Sequence, residues 1–109
     1  MSFDMNKLME QAAQMQEQMA RMQEEAAAET AEASVGGGMV KVTANGAGQV
    51  LSIEISPDAI DPTDAEALSD LVLAGVNEAL RSAAAKVDAK AQQMQSDLLG
   101  GLGLPGPGS

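Results

Sequence analysis

Met5, Leu8, Ala12, Met15, Met19, Met22 and Ala26 follow one another in steps of three and four residues. Met5, Ala12, Met19 and Ala26 share one heptad position; Leu8, Met15 and Met22 share the other. Gln, Glu, Lys and Arg occupy most of the intervals. So narrow a stripe predicts a long helix whose apolar seam needs a partner. Neither Gly nor Pro interrupts residues 4–26, and their Gln, Glu, Met and Ala are good helix formers. A helix that must find a partner points to assembly or binding before catalysis.

Composition bounds what the seam can belong to. The chain has 109 residues, one aromatic side chain (Phe3) and eight methionines. Much of its apolar content is Ala and Met, and alanine buries little area, so a lone subunit has a thin core. Oligomerisation is the usual remedy and is expected here. There is no Cys and no His, which removes disulfides, thiolate metal sites, the commonest general base and the commonest transition-metal ligand. No catalytic residue, metal site, cofactor or small-molecule substrate is expected, and the chain is not read as an enzyme. The start of the chain carries Asp4 and an amphipathic pattern, unlike a signal peptide. No apolar run is long enough to span a membrane, so a soluble cytoplasmic protein is the default. The net charge of −10 argues against tight, charge-driven nucleic-acid binding. Residues 81–96 are a local exception, with Arg81, Lys86 and Lys90 against Asp88 alone.

Beyond the seam, residues 27–35 read two ways. Their propensity favours helix; the Gly36-Gly37-Gly38 breaker that follows favours a strand at about 28–35. Val40, Val42 and Ala44 then alternate with polar residues, as do Leu51, Ile53 and Ile55. Asn45-Gly46-Ala47-Gly48 lies between them and signals a hairpin of roughly 39–45 and 49–56, because Asn and Gly tolerate positive φ. Pro57 ends it. A lone hairpin is marginal, so a third strand or a second chain should extend it. Asp61-Pro62 predicts the start of a second helix over 62–98, with Asp61 as cap and Pro62 at the first helical position. Such a helix is roughly 55 Å long, against a radius of gyration near 13 Å for a compact domain of about 100 residues. It must break or project. The economical arrangement packs the seam of the first helix against Ala83, Val87, Ala91, Met94 and Leu98, forming a two-helix arm on a sheet body. The fold class is therefore α+β: a small antiparallel sheet of about three strands flanked by two long helices that project as an arm. Residues 1–99 form one domain, and the Gly/Pro-rich residues 100–109 a flexible tail.

Few constellations carry chemistry. The triple glycine lacks the Gly-Lys-Ser/Thr ending of a phosphate loop and leads into a strand, so it reads as a turn. Asp58, Asp61, Asp64 and Glu66 miss the calcium-loop spacing and read as helix capping. Asn77, near the apolar face, reads as a register-fixing or backbone-bonded side chain. Lys7, Arg21, Arg81, Lys86 and Lys90 are candidate phosphate contacts, or else a solvated helix face. Base stacking is not expected without aromatic residues.

The order of the motifs is more specific than any one of them. LMEQAAQMQEQMARMQEE is followed by GGGMVKVTANGAGQVLSIEISP, then DLVLAGVNEALRSA and a Gly/Leu/Pro tail. This resembles the YbaB/EbfC family of bacterial nucleoid-associated proteins over essentially the whole chain. The resemblance tips residues 28–35 toward strand and implies a tweezer-like homodimer with helical arms on a shared body. It implies a cytoplasmic, nucleoid-associated protein that binds double-stranded DNA with little sequence preference. Such a protein alters DNA conformation or compaction and influences gene expression. DNA contacts would lie on the arms, where Lys7, Arg21, Lys86 and Lys90 fall, with Arg81 nearer the base. The alternative is a non-enzymatic interaction adaptor acting through the methionine seam.

Overall fold

The computed structural model describes residues 4–101. Its elements in chain order are α1 (Met5–Ala28), β1 (Thr30–Val35), β2 (Val40–Asn45), β3 (Val50–Ile55), a short 3-10 turn (Pro57–Ala59) and α2 (Ala65–Gly101). The three strands form one antiparallel sheet in the order β1-β2-β3. The segment with two readings is thus a strand, pairing Ala31 with Ala44 and Ala33 with Val42 across the ladder. The chain is extended: its radius of gyration is 21.0 Å and its extents are 75 × 39 × 17 Å.

Local chemistry explains the element ends. The Asp4 side chain accepts a hydrogen bond from the Lys7 amide at 3.3 Å and caps α1. The second helix starts three residues later than Asp61-Pro62 suggests, and its cap is a different residue. Asp61 accepts from the amide and hydroxyl of Thr63 at 2.9 and 2.7 Å, which closes a turn through Pro62. Asp64 accepts from the Ala67 amide at 3.2 Å and takes the capping role. At its other end α2 runs on through Gly100 and Gly101; the rest of the expected tail lies outside the described residues. The triple glycine turns β1 into β2 with φ of +63°, +67° and +91°, a run of left-handed conformations that side chains resist.

The second hairpin combines one left-handed glycine, Gly48 with φ of +84°, with a side chain that bridges the turn. Asn45 has no positive φ, contrary to the usual Asn-Gly rationale. Its side-chain oxygen accepts from the amides of Ala47 and Gln49 at 3.1 and 3.0 Å, and its amide donates to Gln49 Oε1 at 2.9 Å. Burial to 3% exposure makes those bonds consequential.

The core is one sheet face against the proximal half of α2. Ala31 and Ala33 of β1 and Val40, Val42 and Ala44 of β2 meet Gly75, Ala79 and Ala83, which recur every fourth residue along α2. Small residues on the helix let it lie close: a Cβ at Gly75 would stand 2.9 Å from Val42 Cγ2. Asn77, on the next helical position but one, is exposed and does not enter this contact.

A second close approach fixes α1. The Gly46 amide donates to the carbonyls of Ala26 and Glu29, both at 2.9 Å, tying the β2–β3 turn to the end of α1. A Cβ at Gly46 would collide with Val87 Cγ2 and stand 2.8 Å from the Ala26 carbonyl oxygen. Gly46→Ala is therefore expected to lower stability by about 1–3 kcal/mol through forced displacement at this joint. Thermal unfolding followed by circular dichroism measures it; an unchanged midpoint contradicts the joint.

Candidate nucleic-acid interface

α1 is one uninterrupted helix with no buried residue. Its seam is open to solvent: Met5, Leu8, Met15, Met19 and Met22 are 46–68% exposed, and Ala12 is exposed as well. Along distal α2, Ala91 is exposed and Met94 and Leu98 are 63% and 65% exposed. Ala83 is buried, but against the sheet, and Val87 is half-buried beside Gly46. The expected closure of the seam onto α2 therefore does not occur along the helices of one chain. The reason is geometric: α1 is anchored at the hairpin turn, whereas α2 follows the sheet. The two helices share only a cleft at their root, lined by Met22, Ala26, Val87, Ala91 and Met94 among others.

The five candidate cations do not form one patch. Lys7 and Arg21 are exposed on α1, fourteen residues apart on one helix line, roughly 21 Å. Glu10, Glu17 and Glu24 recur at heptad spacing on the adjoining face, opposite the seam. Arg81 is exposed on α2 where the helix leaves the sheet. Lys86 and Lys90 lie together at the arm root and are already engaged. Lys86 Nζ donates to the Thr30 carbonyl at 2.6 Å. Lys90 Nζ meets Glu29 Oε1 at 2.9 Å, the one ion pair among the described residues. Both lysines thus clasp the corner where α1 passes into β1. Sequence reasoning missed Glu29, because nothing local marks a partner 61 positions away.

The clasp leaves an electrostatic signature. The hydrogen bond and charge of Lys90 hold the Glu29 carboxyl below its ordinary pKa, and Glu29 in turn raises Lys90 above its own. A lowered acid stabilises above its unfolded pKa and loses that contribution as pH falls through the folded value; a raised base does the reverse at high pH. The clasp is therefore intact across the neutral range and opens in acid first at Glu29. Replacing Lys90 by Met is expected to return the Glu29 titration toward the ordinary carboxylate range, read by NMR; an unmoved Glu29 contradicts the pairing.

A third feature is an uncovered apolar face. Register places Ile53 opposite Val42 and Ile55 opposite Val40, on the face that α2 covers. Yet α2 lies over β1 and β2, and Ile53 and Ile55 remain 44% and 38% exposed. Ile55 continues into a groove with Leu68, Val72, Leu73 and Val76 of α2. β3 is also a sheet edge. Among the described residues no cluster of three or more metal-ligating side chains occurs, and no described helix is long and apolar enough to cross a membrane.

Comparison with known proteins places this architecture. The chain is 50% identical over 104 residues to a nucleoid-associated protein of Thermoanaerobacter pseudethanolicus, covering 95% of this chain and 90% of that one. It is 48% identical over 106 residues to a nucleoid-associated protein of Pelotomaculum thermopropionicum, covering 97% of each. The crystal structure of an uncharacterized protein from Helicobacter pylori shares the fold, with a TM-score of 0.64 at 21% identity over 86% of this chain and 99% of that one. The family model of the YbaB/EbfC DNA-binding family matches residues 1–98, and the chain belongs to that family.

Proposed function

We propose that the chain works as a homodimer that binds duplex DNA along its projecting helices, with little sequence preference, and changes the conformation or compaction of the DNA. The site of action is the nucleoid in the cytoplasm, with an influence on gene expression as the consequence. The observation that carries this reading is the free-standing α1, which has no buried residue and holds Lys7 and Arg21 in solvent. The family match and the nucleoid-associated relatives supply the ligand class.

The mechanism is backbone contact plus fit, without catalysis. Phosphate contacts position a protein but carry no base information, which suits an arm with scattered cations. The charge arithmetic limits the affinity. Of the six basic residues, Lys90 is offset by Glu29 and Lys41 stands across the ladder from Glu54. Lys7, Arg21 and Arg81 are left for phosphates in each chain, together with Lys86, whose charge its bond to the neutral Thr30 carbonyl does not offset. A dimer then neutralises at most about eight phosphates, so log affinity falls against log salt with a slope no steeper than about −7. Sequence-dependent deformability of the DNA supplies what selectivity there is.

Two outcomes test this. Reversing Lys7 and Arg21 to Glu is expected to weaken mobility-shift binding alike on unrelated DNA sequences at low salt; unchanged affinity removes α1 from the interface. Ile53→Asp, on the uncovered sheet face, is expected to shift the solution mass measured by light scattering from two chains toward one, because a charge cannot be buried there unpaired. A wild-type protein that captures a specific protein partner and binds no DNA would support the adaptor reading instead.

A further inference from the structure

Packing forces one reactive dipeptide into the joint between α1 and the sheet. Position 46 must be glycine, because a Cβ there would collide with Val87 Cγ2 and crowd the Ala26 carbonyl. Position 45 is an asparagine whose buried side chain makes three hydrogen bonds across the turn. Asn-Gly is the pair at which an asparagine cyclises most readily, since glycine has no side chain to shield its nitrogen. Asn6 precedes Lys7 and Asn77 precedes Glu78, so Asn45 stands apart from the other asparagines of the chain.

The two groups that would react are held in opposite conditions. Asn45 Oδ1 accepts from the amides of Ala47 and Gln49 at 3.1 and 3.0 Å. Two donors on one carbonyl oxygen polarise Cγ and favour the negative oxygen that attack creates there. The nucleophile is restrained instead. Cyclisation needs the Gly46 nitrogen without its proton, and that N–H donates to the Ala26 and Glu29 carbonyls, both at 2.9 Å. Stripped of its proton, the nitrogen would face two carbonyl oxygens with no donor between them, so deprotonation waits for the joint to open. Lys86 on the Thr30 carbonyl and Lys90 on Glu29 hold the same corner from outside.

We infer that Asn45–Gly46 is a spontaneous modification site that reacts when α1 lifts from the hairpin turn, and that its isoaspartyl product keeps α1 released. Hydroxide takes the Gly46 proton. The nitrogen bonds to Asn45 Cγ, the Cγ–Nδ2 bond breaks, and Nδ2 leaves as ammonia after taking a proton from water, giving a cyclic imide. One water then adds to a ring carbonyl. Opening at Cγ leaves a normal backbone and a side-chain carboxylate; opening at the main-chain carbonyl carries the backbone through the side chain, as isoaspartate. The sum is one water consumed and one ammonia released, with no oxidation. The isoaspartyl link adds one atom to the main chain before the Gly46 nitrogen. With Ala44 still paired to Val50, the Gly46 amide no longer meets both α1 carbonyls. The direction of α1, with Lys7 and Arg21 on it, is then no longer fixed. Neither step depends on a second copy or on DNA.

The full chain, Lys90→Met and Glu29→Gln are incubated in warm, mildly alkaline buffer, the unmodified chain also in urea too dilute to unfold it and in urea that does. Mass spectrometry of the peptide holding Asn45 follows deamidation, and NMR follows exchange of the Gly46 amide in the same samples. Both begin with loss of the same proton, so the two rates are expected to rise together: several-fold in each variant and in dilute urea, and further in the unfolded chain. Faster Gly46 exchange without faster deamidation overturns the inference. So does a native rate equal to the unfolded one, or no reaction at Asn45 in the unfolded chain. Variants that are folded by circular dichroism and leave both rates unchanged overturn the part given to the lysine clasp. The isoaspartyl form, separated by chromatography, is expected to exchange the amides of the last turn of α1 several-fold faster than the unmodified chain; equal exchange overturns the release.

Discussion

The close contact between α2 and the centre of the sheet governs everything else in this molecule. Gly75, Ala79 and Ala83 bring the helix backbone down onto Val40, Val42 and Ala44. Close packing of small residues positions the helix well but removes little apolar area from water. Val40 and Val42 are the largest side chains fully buried in the described residues, and each contributes only about 1.5–3 kcal/mol. A sheet of this size cannot supply much more by itself. The missing apolar contacts are still present in the sequence; they lie on β3, on the outer side of α2 and along α1, facing solvent. The fold therefore leaves much of its hydrophobic surface open.

Rigidity and reach follow from two different devices. α2 crosses the sheet and continues as one helix, so the body and the far end of the arm share an axis. α1 is attached more delicately, through the Gly46 turn and the clasp of Lys86 and Lys90 on the α1–β1 corner. The clasp is solvent-exposed and contributes little to global stability; its effect is on the direction in which α1 leaves.

The elements that were legible in the sequence are those written in local pattern. The heptad seam announced α1, alternation announced β2 and β3, and the length of the second periodic run required an extended shape. The strand at 30–35 is not legible locally, because the Ala and Glu residues of 27–35 suit a helix as well; its pairing with β2 decides it. Asp61 and Asp64 both offer a cap, and only the turn chemistry of Thr63 shows which one is used. Asn-Gly suggests backbone tolerance at Asn45, whereas Asn45 acts through its side-chain amide. The candidate cations could be named from the sequence, but Glu29 as the partner of Lys90 could not. The seam announced a need for a partner without saying which chain supplies it.

In the proposed homodimer, a second copy covers the hydrophobic surface that one chain leaves open. The concentration dependence of thermal unfolding for the unmodified protein tests that claim most directly. Folding linked to association makes the midpoint rise with protein concentration. The account expects a clear rise across the micromolar range, with secondary structure and subunit mass lost together. A midpoint that stays constant over that range, in a folded protein of single-chain mass, would contradict it.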